Sequence, residues 1–213
     1  MIGILRWLYF SLLVRPVITI ILGLNTRGRE HLPRRGPAII AANHNSHLDA
    51  MVLMSLLPHR LLHRVRPVAA EDYFMKNRLL AWFSTRIVGI LPIARKRSGP
   101  DDDPLAGCYQ ALENDQILIF FPEGSRGEPE KLGKFRAGIA KVAARYPDVP
   151  VVPVYMHGLG KALPRGEGLL VPFLVDIQIG EGLKGRNHPE DFPDTLRGRI
   201  QALAGDIRQP EWD

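Results

Sequence analysis

The sequence predicts an α/β fold in which a mostly parallel sheet is flanked by helices and preceded by an N-terminal apolar helix pair. Short, continuous apolar runs alternate with helix-length stretches after residue 36, which is typical of parallel strands buried on both faces. The chain has 213 residues, of which 46% are hydrophobic and 23% charged. That size and composition indicate a folded globular domain and exclude a disordered or collagen-like chain.

The N-terminus is the first element and the most apolar one. Arg6 and Arg15 interrupt it and Pro16 is expected to break it, so two short helices are predicted rather than one span of about 20 residues. Residues 1–37 hold six arginines against Glu30, which is most of the net charge of +6. Because the neighbours of these arginines are apolar, the pattern favours lipid over nucleic acid.

We therefore expect these helices to lie in the membrane interface, with their arginines reaching lipid phosphates. Removing residues 1–24 should then abolish membrane binding and leave a folded domain. The alternative is a helix pair that covers the domain core or forms a dimer contact.

The remaining elements follow in alternation. Strands are predicted at 37–42, 67–70, 89–94, 116–121, 149–156 and 172–180, and helices at 48–57, 79–87, 105–113, 135–145 and 189–209. Ligand sites in such sheets gather at the carboxyl ends of the strands, so polar residues that directly follow strands are the candidates for a site.

The first candidate site follows the first of these strands as NHNSHLDA, residues 43–50. If the next helix begins at His47, Ser46 is its N-cap and Asp49 completes a capping box. His44 then lies in the turn, where its imidazole can meet the Asp49 carboxylate. Such a pair suits a general base that removes a hydroxyl proton. The alternative is that Asp49 only caps the helix and His44 only bonds the loop backbone.

The second candidate site is FPEGSRG, residues 121–127, directly after another strand. Proline and glycine bend the backbone, and Ser125 with Arg126 offers a hydroxyl and a planar cationic fork suited to phosphate. Glu123 could hold that arginine. The spacing fits neither a P-loop nor the Gly-x-Ser-x-Gly elbow of hydrolases. The alternative is a strand-to-helix turn with a surface arginine.

Two further groups of basic residues could contact an anion or could simply face solvent. The strand 89–97, GILPIARKR, ends in Arg95, Lys96 and Arg97. A second cluster could contact a carrier protein or a headgroup, and consists of His59, Arg60, His63, Arg64 and Arg66.

In this order, the blocks NHNSHLD, GILPIAR, FPEGSR and VPVVPVYMHG resemble those of the lysophospholipid acyltransferase family, which includes 1-acylglycerol-3-phosphate acyltransferases. The resemblance spans roughly residues 30–160. It implies that His44 is the base and Asp49 its orienting partner. It places the acceptor on Arg95, Glu123, Gly124, Ser125 and Arg126. Pro153 matches the fourth block, and the basic segment that commonly follows the third is matched by Lys134, Phe135, Arg136 and Gly138.

We expect residues 1–30 to form the interfacial membrane-binding helices and residues 31–213 to form the acyltransferase domain that the resemblance implies. The expected reaction transfers a fatty acyl group from acyl-CoA or acyl carrier protein to the free hydroxyl of a lysophospholipid, most simply 1-acylglycerol-3-phosphate, giving phosphatidic acid. Backbone N–H groups near the His44 turn could stabilise the oxyanion. No metal, no cofactor beyond the acyl donor and no nucleic acid is expected.

The single cysteine, Cys108, precludes an intramolecular disulfide and indicates a reducing compartment. The expected location is therefore the cytoplasmic face of a membrane, with peripheral or monotopic attachment. Two alternatives remain open: a non-catalytic membrane-binding module with the same fold, and a metallohydrolase that uses His44, His47 and Asp49 as zinc ligands.

Overall fold

The structure, a computed structural model, describes residues 2–74, 77–94, 102–127, 131–162 and 171–207. Its strands are β1 Leu22–Arg27, β2 Ala38–Ala42, β3 Val65–Ala70, β4 Leu91–Ile93, β5 Ile117–Phe120, β6 Pro150–His157, β7 Phe173–Ile179 and β8 Leu183–Lys184. Its α-helical segments are α1 Ile2–Leu8, α2 Arg15–Ile21, α3 Asp49–Leu56, α4 Glu71–Phe74, α5 Arg78–Trp82, α6 Ala106–Glu113, α7 Ala137–Arg145, α8 Leu159–Ala162 and α9 Phe192–Gly205. Two π-helical segments, Tyr9–Val14 and Phe83–Val88, continue α1 and α5.

Within the described ranges these strands form one sheet in the order β1-β7-β6-β2-β5-β3-β4, with β8 beside β6. The run from β6 to β4 is parallel, β7 and β8 are antiparallel to β6, and β1 is parallel to β7. The mostly parallel sheet flanked by helices is therefore confirmed, and every predicted strand is present. The sequence did not reveal β1 and β8, because β1 mixes apolar and polar residues at the sheet edge and β8 has only two residues.

Both faces of the sheet are covered, which explains why its central strands are apolar throughout. Ile40 and Ile119 pack in the layer that contains the N-terminal helix and α3. Ile39 and Leu118, their chain neighbours, pack in the opposite layer with α6, α7 and α9. Successive side chains of a strand point to opposite faces, so each central strand needs apolar residues at every position.

The predicted helix pair is one continuous helix, Gly3–Ile21, built from α1, the π segment Tyr9–Val14 and α2. The expected break at Pro16 is wrong because the preceding turn is widened. The Arg15 N–H donates to the carbonyl of Phe10, five residues back. Single π turns are a known way for a helix to absorb a local disruption, so the chain passes through Pro16 without stopping. We call this element the N-terminal helix.

The inner face of the N-terminal helix belongs to the domain core, as the alternative interpretation predicted. Phe10, Val14 and Ile18 are buried. Arg6 is 5% exposed, and its Nη2 donates to the carbonyls of Val65 and Val88, both at 2.9 Å. The expectation that Arg6 reaches lipid phosphates is therefore wrong, since its guanidinium is used inside the domain.

The outer face of the N-terminal helix is apolar and exposed. It presents Ile4, Leu5, Trp7, Leu8, Leu12, Leu13 and Ile20. By length and composition the helix could cross a membrane, with 19 residues and a mean hydropathy of 1.7. Because its other face packs on the domain, the helix lies against the protein with one apolar face buried and a second apolar face exposed.

Candidate active site

The first candidate site lies in the turn between the carboxyl end of β2 and the start of α3. His44 Nδ1 and Asp49 Oδ2 are 2.8 Å apart, so the predicted pairing of imidazole and carboxylate is present in the structure. The His44 ring also stacks on Phe121, with ring centroids 4.2 Å apart and planes inclined by 19°. These two contacts fix the orientation of the imidazole and leave Nε2 as the nitrogen that can accept a proton.

The same carboxylate oxygen also organises the turn. Oδ2 of Asp49 accepts hydrogen bonds from the backbone N–H of Asn45 at 2.6 Å and of Ser46 at 2.9 Å. The helix itself begins at Asp49, two residues later than predicted, but the bond from Ser46 to Asp49 is one half of the expected capping box. Asp49 thus pairs with His44 and also orders the turn that precedes α3, so the interpretation that it only caps is excluded, while its part in catalysis stays a prediction.

Burial sets the electrostatics of the pair. Asp49 is fully buried, and this burial raises the pKa of its carboxyl, while the hydrogen bond and charge of His44 and the two backbone donors act in the opposite direction. The His44 side chain keeps 22% exposure. The imidazole is therefore held on one side by a buried acceptor and remains accessible on the other.

Two asparagines that sequence reasoning missed hold the His44 turn to the neighbouring strand. The Asn43 side chain accepts from the Met156 N–H at 2.8 Å and donates to the Met156 carbonyl at 2.9 Å. Asn45 Nδ2 donates to the same carbonyl at 2.8 Å. Both asparagines are buried, and they tie the ends of β2 and β6 together on either side of His44. The sequence feature that could have revealed these asparagines is their position on either side of His44, directly after a strand.

The second candidate site, at the end of β5, lies beside the first. Glu123 Oε1 accepts from the backbone N–H of His44 at 3.0 Å, and Oε2 accepts from the backbone N–H of Gly133 at 3.0 Å. Glu123 is buried, which raises the pKa of its carboxyl, while both backbone bonds oppose that shift. This carboxylate therefore joins the His44 turn to the loop around Gly133.

The backbone of the second site is shaped by Gly124 and Arg136. Gly124 has φ of +71°, and a Cβ there would lie 2.5 Å from the Arg136 Cδ. Arg136 Nε donates to the Glu123 carbonyl at 3.0 Å. Only glycine combines this backbone conformation with so close an approach of the arginine side chain.

The polar residues that follow Gly124 are accessible. Ser125 is exposed and Arg126 is partly exposed. Burial lowers the pKa of His47, and the nearby charges of Arg126 and His44 lower it further. The effect of the Arg126 charge on His47 indicates that Arg126 lies near the first site. Arg95, the expected acceptor-binding residue of the second sequence block, lies outside the described residues.

Pro153 lies inside the sheet, where it is the partner of Ala41 in the register of β6 and β2. The loop residues Lys134 and Phe135 precede α7, and Gly138 lies within α7, where a Cβ would lie 3.3 Å from Cζ of the Phe120 ring. The third sequence block and the basic segment after it are thus joined through the Glu123–Gly133 and Arg136–Glu123 bonds.

The chemistry open to this arrangement is proton removal beside a positively charged arginine. The N–H groups of His44, Asn45 and Ser46 all donate to carboxylates, so these three groups are not available as oxyanion donors. Among the described residues, no group of three or more His, Cys, Asp or Glu side chains is arranged to hold a metal ion.

Comparisons with known proteins agree with the fold and with the family that the sequence resembles. The chain is 32% identical over 164 residues to the chloroplastic 1-acyl-sn-glycerol-3-phosphate acyltransferase LPAT1 of Arabidopsis thaliana, covering 76% of this chain and 44% of the relative. It is 29% identical over 186 residues to 1-acyl-sn-glycerol-3-phosphate acyltransferase alpha of Bos taurus, covering 84% of this chain and 60% of the relative. The chain thus spans about half the length of these relatives.

The fold is that of a solved acyltransferase. The crystal structure of the 1-acyl-sn-glycerophosphate acyltransferase PlsC from Thermotoga maritima superposes with a TM-score of 0.73 at 19% sequence identity, covering 95% of this chain and 81% of that one. The family model named Acyltransferase matches residues 23–157, from β1 to the end of β6. That match covers more than half of the sequence and both candidate sites, and the protein therefore belongs to the acyltransferase family.

Proposed function

We propose that this acyltransferase moves a fatty acyl group from acyl-CoA or acyl carrier protein to the free hydroxyl of 1-acylglycerol-3-phosphate, giving phosphatidic acid. The observation that carries the proposal is the 2.8 Å contact between His44 Nδ1 and Asp49 Oδ2, because it makes Nε2 the free base of a fixed imidazole. The names of the relatives from Arabidopsis thaliana and Bos taurus support the choice of acceptor.

In the proposed reaction His44 Nε2 accepts the proton of the acceptor hydroxyl as its oxygen attacks the thioester carbonyl. The new C–O ester bond forms, the C–S bond breaks, and the proton passes from Nε2 to the leaving thiolate. Asp49 holds the imidazole and stabilises its cation during this exchange. No covalent enzyme intermediate is required.

We assign acceptor binding to the second site. Arg126 and Ser125 supply a cation and a hydroxyl for the acceptor phosphate, and Arg95 is proposed to add a second cation. Glu123 and Gly124 contribute by shaping the turn that presents Ser125 and Arg126. The Glu123 carboxylate accepts hydrogen bonds from the backbone N–H groups of His44 and Gly133. The outer face of the N-terminal helix would bind the cytoplasmic face of the membrane, where acceptor and product reside.

The test is to incubate the purified protein with labelled acyl-CoA or acyl carrier protein and a panel of lysophospholipids, and to identify the products by mass spectrometry. Phosphatidic acid should form, and His44→Ala should lower the rate by about 10²- to 10⁴-fold without unfolding the protein. His188→Ala, a histidine outside both sites, is the matched control.

Four results would reject the proposal. A product from another acceptor would change the substrate, and near-normal turnover by folded His44→Ala would reject the mechanism. Absence of any product with tight vesicle binding would favour a non-catalytic membrane module. Loss of activity with a chelator, together with stoichiometric zinc in the protein, would favour a metallohydrolase.

A further inference from the structure

A basic cleft of about 270 Å³ lies near the amino end of β2, at the opposite end of that strand from His44. Arg29 and Arg34 belong to the segment between β1 and the amino end of β2, whereas His44 follows the carboxyl end of β2. Leu56 and Leu57, which also line the cleft, end the helix that starts at Asp49. The cleft is therefore separated from the candidate active site by the length of β2 and α3.

The cationic groups of this cleft are held in place by the protein. Arg29 Nη2 donates to the Leu56 carbonyl at 3.1 Å, and Arg15 Nη2 donates to the carbonyl of Leu57. Arg15 Nη1 lies 2.8 Å from His59 Nδ1, and His59 Nε2 lies 2.9 Å from Ser11 Oγ. Because an arginine only donates, His59 Nδ1 accepts, and its Nε2–H donates to the serine.

Positive charge is concentrated in the cleft. The residues described as lining it include Arg15, Arg29 and Arg34, and none of them is a carboxylate. Burial lowers the pKa of Arg15, and the repulsion between its guanidinium group and that of Arg29 lowers it further. An anion bound between them would relieve that repulsion, and planar guanidinium forks match the geometry of phosphate oxygens.

The cleft adjoins the exposed apolar face of the N-terminal helix. Trp7 is 49% exposed on that helix, and its ring centroid lies 6.1 Å from that of His59. Ser11 and Arg15 come from the next turns of the same helix. A membrane surface that contacts the apolar side of the helix therefore also contacts the opening of the cleft. Tryptophan is a side chain typical of the membrane–water boundary.

We propose that this cleft binds the phosphate group of an anionic phospholipid in the bilayer on which the N-terminal helix rests. The site is separate from acyl transfer, and it rests only on the membrane contact included in the proposed function. A headgroup held there would fix the rotation of the domain about the helix axis, because the cleft lies to one side of the apolar face.

The experiment measures binding of the full chain to vesicles, with no acyl donor present, so its outcome does not depend on the catalytic proposal. Vesicles of phosphatidylcholine alone are compared with vesicles that also contain phosphatidylglycerol. The variant is Arg29→Gln combined with Arg34→Gln. The matched control removes two exposed arginines from α9, Arg197→Gln and Arg199→Gln, on the other face of the sheet.

The double variant should bind phosphatidylglycerol vesicles more weakly, by roughly fivefold for each arginine, and phosphatidylcholine vesicles as the wild type does. The α9 control variant should bind both kinds of vesicle as tightly as the wild type does. Equal losses in the two double variants would mean that only net charge matters and would overturn the site. If Arg29→Gln lowers thermal stability, Arg34→Gln alone decides, because Arg34 is exposed.

Two further measurements distinguish a specific site for a lipid phosphate from nonspecific charge attraction and from a site for soluble phosphate. Arg34→Lys keeps the charge and loses the planar fork, so it should also weaken binding to phosphatidylglycerol vesicles, and unchanged binding would overturn the proposal. Inorganic phosphate at constant ionic strength should compete only weakly with the bilayer. Complete release of the wild type by millimolar phosphate would assign the cleft to a soluble phosphate and would overturn the lipid assignment.

Discussion

Asp49 shows how one buried atom can serve both folding and chemistry. Its Oδ2 accepts from the imidazole and from two backbone N–H groups of the turn that carries that imidazole. Positioning of His44 and formation of the turn are therefore coupled. A substitution at Asp49 has to be judged on the free energy of unfolding and on turnover separately.

Asp49→Asn should reduce turnover far more than stability. The amide oxygen can occupy the position of Oδ2 and keep the bonds from Asn45 and Ser46, but it no longer carries the charge that stabilises the imidazolium. The amide nitrogen would take the place of Oδ1, which has no hydrogen-bond partner within the described part of the chain. We expect a thermal shift equivalent to about 1–3 kcal/mol and a much larger fall in kcat, measured by melting curves and single-turnover kinetics. A variant that melts early but turns over normally when folded would leave Asp49 with a capping role alone.

Arg126→Lys tests the assignment of the acceptor phosphate. Lysine keeps the positive charge but loses the bidentate fork, so the KM for the acceptor should rise while the KM for the acyl donor changes little. Initial rates with each substrate varied in turn give the two constants. Lys134→Arg, a charge-conserving change of an exposed residue in the neighbouring loop, is the control. An unchanged acceptor KM would remove Arg126 from the headgroup site.

The sequence predicted contacts between residues that are close in the chain better than contacts between residues that are far apart in it. His44 and Asp49 are five residues apart, so a folded-back turn was enough to predict their pairing. The bond from Glu123 to the N–H of His44 spans 79 residues, and the bond from Asn43 to Met156 spans 113. Such contacts depend on strand order in the sheet, which motif spacing does not specify.

At the scale of elements, the N-terminal helix departs most from expectation. Its sequence pattern is apolar nearly all round, which does not distinguish a core-covering helix from an interfacial one. The structure assigns one function to each face: Phe10, Val14 and Ile18 pack inward, while Leu12 and Ile20 are 71% and 82% exposed. The arginines that interrupt the apolar pattern bond to carbonyls of the domain.

The two faces should respond differently to substitution. Leu12→Gln with Ile20→Gln should leave the melting temperature unchanged and weaken vesicle binding by roughly tenfold for each side chain, since burial of an aliphatic side chain contributes about 1.5–3 kcal/mol. Phe10→Ala should lower the free energy of unfolding by about 3–5 kcal/mol, because it leaves a cavity under the helix. Vesicle flotation and thermal melts measure both effects. Equal destabilisation by the two variants would contradict the inward and outward assignment.

At the scale of the whole molecule, the sheet connects two core layers that include residues far apart in sequence. The N-terminal helix covers one face, and Cys108 on α6 is buried in the layer on the other. Burial raises the pKa of the Cys108 thiol to about 12, so the folded protein carries almost no reactive thiolate at pH 8. Because Cys108 is the only cysteine of the chain, its modification reports opening of the layer opposite to the helix.

Deletion of residues 1–21 should therefore accelerate modification of Cys108 by a thiol reagent, although the buried residues of the deleted helix pack in the other layer. The deletion removes Arg6, Phe10, Val14 and Ile18 from the core, so we expect it to destabilise the fold, whereas the sequence alone predicts a folded domain without residues 1–24. If the two layers unfold together, modification follows the population of the open form, and the Phe10→Ala cost alone predicts a rise of roughly 10²-fold or more. Denatured protein gives the rate for a fully accessible thiol. An unchanged rate in the truncated protein would mean that the N-terminal helix is an independent unit, as a domain boundary near residue 30 would require.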